Sequence, residues 1–244
     1  MNKLIKQYTG ITSDVLRLLA AIFMLSDHLW VTIFPGNLWL HLIGRLAFPI
    51  YAFFIAEGYF HTSNFKKYAL RLLFFGIISE IPFDYFIAGV PFYPYRHNVM
   101  FTLLLGLLSI KGVDNAIKNP VSKNIIIGAA VLVASCVTAR CIVSDYREHG
   151  VLTVLCFYLF RNFKPAQLIS MLLLHLFLYE GMAIKGAIFG TTILFPAQSC
   201  AVLALLPIWL YNGKRSYTGK ALRGGIYLFY PVHMLVLHIL RNVI

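Results

Sequence analysis

Residues 15–34 read VLRLLAAIFMLSDHLWVTIF, an apolar stretch interrupted only by Arg17, Ser26, Asp27, His28 and Thr32. As a helix rising about 1.5 Å per residue it reaches about 30 Å, the thickness of a bilayer's hydrocarbon core. Similar stretches recur to the end of the chain. They predict nine spans: Val15–Phe34, Leu38–Phe60, Tyr68–Ala88, Asn98–Ile110, Ile125–Val143, Val151–Phe160, Pro165–Tyr179, Ala187–Tyr211 and Gly225–Leu240. The fourth, sixth and seventh are short for a full crossing, which is tolerated where backbone lines a cavity or is buried in protein. The expected fold is therefore an all-α, polytopic membrane helix bundle of about nine helices, with eight or ten allowed, forming one domain over residues 1–244.

Composition agrees. Hydrophobic residues make up 59% of the 244 and charged residues 12%, against about 45–50% and about 25% in soluble domains. The formal charge is +12. Nucleic acid is not the expected partner, because no soluble element carries a basic face. The cations follow the positive-inside rule instead. Lys3, Lys6, Lys66, Lys67, Lys111, Lys118, Lys123, Arg161, Lys164, Lys214, Arg215, Lys220 and Arg223 fall on one side of the spans. Arg96, Arg147, Lys185 and Arg241 fall on the other. That asymmetry predicts a cytoplasmic N-terminus and an external C-terminus. The N-terminal segment lacks the pattern of a cleaved signal and reads as a retained cytoplasmic tail. Cys136, Cys141, Cys156 and Cys200 show no metal or disulfide spacing and are expected as small buried hydrophobes. No metal is expected. Gly186 and Gly190 make a small-xxx-small pair suited to helix contact.

An ionisable group inside a span should face a cavity or a partner. Depth sorts these groups into two layers. Asp27, His28, Arg45 and Glu80 share the outer half; Arg17, Glu57, His61 and Arg71 lie toward the cytoplasm. In one reading Arg45 pairs with Asp27 or Glu80 and locks helices together. In another, a carboxylate beside the His28 imidazole tunes a general base. Adjacent helical residues point about 100° apart, so Asp27 and His28 can also serve different helices. Arg17 and His28, eleven steps apart, lie on one stripe with about 16 Å between them. That suits a long cytosolic substrate with a phosphorylated head, gripped by Arg17, and a reactive far end at His28.

Several segments carry a resemblance: LRLLAAIFMLSDH (16–28), IGRLAFPIYAF (43–53), EGYFHT (57–62), KYALRLL (67–73), ISEIPFD (78–84), NVMFTL (98–103) and FYPVHM (229–234). In this order they are similar to the TraX family, the conjugation-associated acetylases of pilin, and are densest over residues 10–110. The family looks like a branch of a wider membrane acyltransferase group that includes O-antigen O-acetylases and the lysosomal heparan glucosamine N-acetyltransferase. Members often place a basic residue, ten intervening residues and a catalytic His in the first span, as Arg17 and His28 do here; TraX relatives usually have Lys at position 17. Over residues 111–224 only EHG (148–150) is familiar, so the acceptor does not transfer with the resemblance.

The resemblance implies acetyl transfer from acetyl-CoA to an amine or hydroxyl of a peptide, pilin or glycan-like acceptor at a bacterial cytoplasmic membrane. The catalytic residues would be His28, Asp27, Arg45 and Glu80, with Asp27 or Glu80 orienting the imidazole and Arg45 or Asn98 stabilising the oxyanion. The acyl donor would be held by Arg17, Glu57, His61, Lys66, Lys67, Arg71, Asn98, Tyr230 and His233. Two other classes share the buried charges: a small-molecule or ion transporter, and a non-catalytic membrane component of a conjugation or secretion system.

Overall fold

A computed structural model describes residues 10–178, 182–188, 191–214 and 220–243. Lys3, Lys6, Tyr179, Gly190 and Arg215 lie outside the described residues. Ten α-helices are described: α1 Ser13–Thr32, α2 Leu38–Gly44, α3 Ala47–His61, α4 Phe65–Ala88, α5 Val99–Lys118, α6 Ser122–Cys141, α7 Arg147–Leu159, α8 Lys164–Leu172, α9 Leu205–Trp209 and α10 Lys220–Val243. A π-helical turn, Leu173–Phe177, extends α8, and a 3₁₀ segment, Ala197–Ala204, leads into α9.

Local chemistry explains the boundaries. The second apolar stretch breaks after Gly44 because Pro49 has no N–H for the Arg45 carbonyl, and its ring would crowd that carbonyl in a continuous helix. Pro49 sits instead in the first turn of α3, where its missing donor costs nothing. Asn64 caps α4, its side chain accepting from the Lys67 backbone N–H at 2.9 Å. Gly89, at φ +72°, closes the same helix in the left-handed conformation that glycine adopts without strain.

Residues 187–211 do not form the single apolar helix that hydropathy suggests. Ala183–Ile188 (β1) and Thr191–Pro196 (β2) pair antiparallel as a hairpin, with Ile184 opposite Phe195. The Thr-Thr-Ile-Leu-Phe run favours strand over helix, and Pro196 ends it. The helical remainder, Ala197–Trp209, reaches only roughly 20–25 Å.

The helices pack around a continuous apolar core in which Leu16, Ile50, Leu107, Val154 and Met234 are fully buried. α1 lies against α2, α3 and α10; α4 against α5 and α10; α7 against α3, α5 and α6. The outside is apolar as well: Phe74, Ile77 and Ile81 of α4 and Ile126 and Val133 of α6 are more than half exposed. Ser13–Thr32, Leu38–His61, Val99–Lys118 and Ser122–Cys141 are long and apolar enough to cross a membrane. An apolar core inside an apolar surface is the pattern of a membrane protein. The cysteines depart from expectation: Cys141 is exposed and the other three are half-buried, because they sit near the apolar exterior.

Contacts between distant segments sort the connections onto two faces. On one, Ile11 bridges Tyr211, and Arg161 after α7 meets Glu57 near the end of α3. On the other, His97 bridges Ser144 and Arg96 pairs with Asp145.

Candidate functional site

Asp27 and His28, adjacent on α1, enter two separate polar systems. α2 approaches α1 so closely that a Cβ at Gly44 would lie 2.4 Å from the Asp27 Cβ, so only glycine fits there. That approach brings His41 and Arg45 onto the Asp27 carboxylate. His41 Nδ1 donates at 2.7 Å, and Arg45 donates through a short charged contact. Of the two partners open to Arg45, the structure selects Asp27. Arg45 also donates to Gln198 Oε1 at 3.3 Å. The Gln198 amide donates onward to His175 Nδ1 at 3.4 Å, His175 Nε2 donates to Thr153 Oγ1 at 3.1 Å, and Thr153 donates to the His149 carbonyl. Each member meets the next with a compatible donor or acceptor, and His175 is fully buried in the π-helical turn.

Glu80 belongs elsewhere in the same outer layer. It accepts from His97 Nδ1 at 2.7 Å and, closely, from the Asn98 amide. Asn98, fully buried, gives its other amide hydrogen to the Gly76 carbonyl and caps α5 by accepting from Met100 N at 3.0 Å. Both amide hydrogens of Asn98 are thus committed, and Asp27 and Glu80 are both engaged away from the His28 ring.

The ring nitrogen partner that the structure supplies for His28 comes from the last helix. His28 Nδ1 lies 2.6 Å from His233 Nε2, and His233 Nδ1 lies 2.6 Å from the Phe229 carbonyl. In place of the carboxylate expected to orient or tune His28, the hydrogen-bond partner of its ring is an imidazole, delivered by α10, which packs against α1 and α4. Asp27, the adjacent residue, acts on the ring through its charge alone. Phe86 of α4 covers the His28 ring at a centroid distance of 4.6 Å.

A cavity of about 560 Å³ lies beside this pair. Arg17, His61, Thr62, Ser63 and Arg71 line one end, and Met24, Tyr51, Met100 and Tyr230 line the other. Met24 sits one turn before His28, and Tyr230 one turn before His233; the two histidines themselves do not line the cavity. Arg17 rests over the Phe54 ring and bonds Asp14 at 3.4 Å; Arg71 rests over Tyr68. Glu57 stands behind the rim, where it accepts two hydrogen bonds from Arg161, at 3.0 and 3.1 Å, and meets His61 at 2.9 Å. Lys66 and Lys67 are exposed and do not line the cavity.

The structure adds polar residues that the sequence did not single out. His41, Gln198 and His175 extend the Asp27 system. Asp114 of α5, nearly buried, accepts from Tyr59 at 2.7 Å, Tyr158 at 2.5 Å and Lys118 at 2.8 Å, tying α3, α5 and α7 together.

An apolar-surfaced helix bundle with a cation-rimmed cavity and a part-buried histidine pair beside it defines a membrane protein with an internal polar site. The chain belongs to the TraX family: the family model described as TraX protein matches residues 12–241. It is 29% identical over 242 residues to the probable fimbrial assembly protein FimC, serogroup H1, of Dichelobacter nodosus, covering 91% of this chain and 92% of that one. It is 30% identical over 89 residues to Protein TraX of Escherichia coli, covering 36% of this chain and 34% of that one. No solved structure matches.

Proposed function

We propose that this chain is an integral membrane acetyltransferase that moves an acetyl group from cytosolic acetyl-CoA to an amine or hydroxyl acceptor. The observation that carries the reading is the cavity between Arg17 and Arg71 at one end and the residues beside His28 and His233 at the other. Its volume falls within the roughly 300–1,000 Å³ of small-molecule sites. Arg17 and His28 stand about 16 Å apart along α1, the reach of a phosphorylated head joined to a thioester by a flexible arm. Arg17 and Arg71 bind the phosphates, with Thr62 and Ser63 adding hydroxyl donors. His61, backed by Glu57, lies beside them, and Lys66 and Lys67 contribute only a diffuse positive field at the entrance.

In the reaction His28 takes the proton from the acceptor's N–H or O–H as that atom bonds to the acetyl carbonyl carbon. The carbonyl electrons move onto oxygen. When they return, the C–S bond breaks and the thiolate leaves with the proton held by His28. The products are the acetylated acceptor and coenzyme A. Tyr230, on the cavity wall, is placed to donate its hydroxyl to the oxyanion. Arg45 and Asn98, already engaged, act on the site through its framework.

The chain sits in the bacterial cytoplasmic membrane with Ile11, Tyr211 and Arg161 on the cytoplasmic face and Arg96 and Arg147 outside. Up to nine segments enter the bilayer, the short ones around the hairpin lining protein rather than lipid. FimC's description as a fimbrial assembly protein favours a pilus subunit's amine as acceptor, presented from the membrane. That description also suits a non-catalytic assembly component. Binding decides between them: full-length protein should retain coenzyme A in calorimetry and release thiol from acetyl-CoA, and failure of both removes the enzyme reading.

A further inference from the structure

We propose that His233 is a positioning residue for His28. It holds the His28 imidazole as the Nδ1–H tautomer, so that Nε2 is the basic nitrogen presented to the acceptor. The chemistry rests on the acetyl-transfer reading above; the geometry stands without it.

The assignment follows from the fixed end of the chain of contacts. The Phe229 carbonyl can only accept, so His233 Nδ1, 2.6 Å away, carries a hydrogen. A neutral imidazole with its proton on Nδ1 has a lone pair on Nε2. His28 Nδ1, 2.6 Å from that lone pair, must therefore donate. The two rings are nearly coplanar, at 7°, with centroids 4.8 Å apart. They meet edge to edge along the hydrogen bond rather than face to face. A histidine in water prefers its proton on Nε2, so the contact reverses the ordinary tautomer and turns the nucleophile-activating lone pair the other way.

His233 can impose this because its own position is fixed. It is 5% exposed and stacks on the Phe229 ring at 4.6 Å and 7°. On the far side Phe86 confines the His28 ring. A buried carboxylate performs the same orienting task in the Ser-His-Asp triad. A neutral imidazole does so here without placing another charge in a low-dielectric site. Once His28 Nε2 takes the acceptor's proton, the Nδ1–H bond to His233 becomes charge-assisted and stronger. The pair therefore stabilises the protonated state in which the thiolate recovers its proton.

The test is ¹⁵N NMR of histidine-labelled full-length protein in lipid nanodiscs, with the His28 signals identified by their loss in His28→Gln. In the wild type, Nδ1 should be protonated and Nε2 bare. His233→Phe should move the proton to Nε2, whereas His233→Gln, whose carbonyl can accept, should keep it on Nδ1. In acetyl-transfer assays His233→Phe should lower kcat roughly 100-fold with KM for acetyl-CoA unchanged, and His233→Gln should recover most of the loss. A wild-type His28 with its proton on Nε2, a tautomer unmoved in His233→Phe, or an unchanged kcat in that variant overturns the proposal. Should His233→Phe fail to fold, the wild-type and His233→Gln spectra decide. A wild type with the expected tautomer and no acetyl transfer with any acceptor leaves the pairing standing and removes the enzymatic reading instead.

Discussion

Asp27 and His28 differ by one step on the same helix and end in environments of opposite kind. Asp27 enters a network running through Arg45, Gln198 and His175 to Thr153, in which the hydrogen-bonding groups that meet are matched and nothing opens on the cavity. Among the described residues His28 has one ring nitrogen engaged, by His233. Neither histidine lines the cavity itself, but Met24 and Tyr230, one turn before them, do. A polar network that ties several helices together resists change and specifies how they dock. A half-engaged imidazole beside a cavity can gain and lose a proton. On the acetyl-transfer reading proposed above, two adjacent ionisable residues divide into a structural element and a chemical one.

The largest effect expected from breaking this contrast is at Arg45. Arg45→Met leaves the Asp27 carboxylate buried with His41 as its described partner, and loss of one member of a buried ion pair costs about 3–5 kcal/mol. Yield and melting temperature in detergent should fall sharply, with activity lost in proportion to folded protein. Wild-type melting would show that the Asp27 network does not hold the bundle.

His28→Ala should do the reverse. The fold and coenzyme A binding should persist, because on the proposed reading the phosphates are held about 16 Å away at Arg17. Transfer should drop roughly 100-fold or more, about 2.7 kcal/mol of transition-state stabilisation. Wild-type rates in this variant would remove the histidine mechanism and return the buried charges to transport or structure.

The parts of this contrast that sequence reveals are the local ones. Helical periodicity places Arg17 and His28 on one stripe of a single helix, Ser13–Thr32, which the structure forms as one unbroken element. Which carboxylate serves which cation depends on how close two helices come. Gly44 sets that distance, and a lone glycine in an apolar run does not announce it. The choice of His233 depends on a pairing across 205 residues, for which no local pattern exists. Asp114 was hidden by a boundary: the apolar run ends at Ile110, yet α5 continues to Lys118. The Asp114–Lys118 spacing of four was the available signal that the helix goes on. The hairpin at Ala183–Pro196 was concealed because β-branched and aromatic residues raise hydropathy as much as a helix does.

The smallest effects expected separate the two kinds of cation at the cavity's entrance, and they sharpen the contrast between engaged and idle charge. Arg17 lines the cavity and is braced by Asp14 and the face of Phe54. Its guanidinium is therefore held where a phosphate can meet it with little further loss of side-chain entropy. Arg17→Ala should raise KM for acetyl-CoA about tenfold, near 1.4 kcal/mol, with kcat recovered at saturation. Lys67 is exposed on the first turn of α4, and its flexible ammonium is screened by salt. Lys67→Ala should change KM by less than about twofold, and raising the salt to about 0.5 M should erase even that difference. Titrating acetyl-CoA against both variants at low and high salt measures the two together. Equal KM increases would mean that phosphate is held by diffuse field rather than by a seat at Arg17, and the cavity's cationic end would lose its claim to bind the donor.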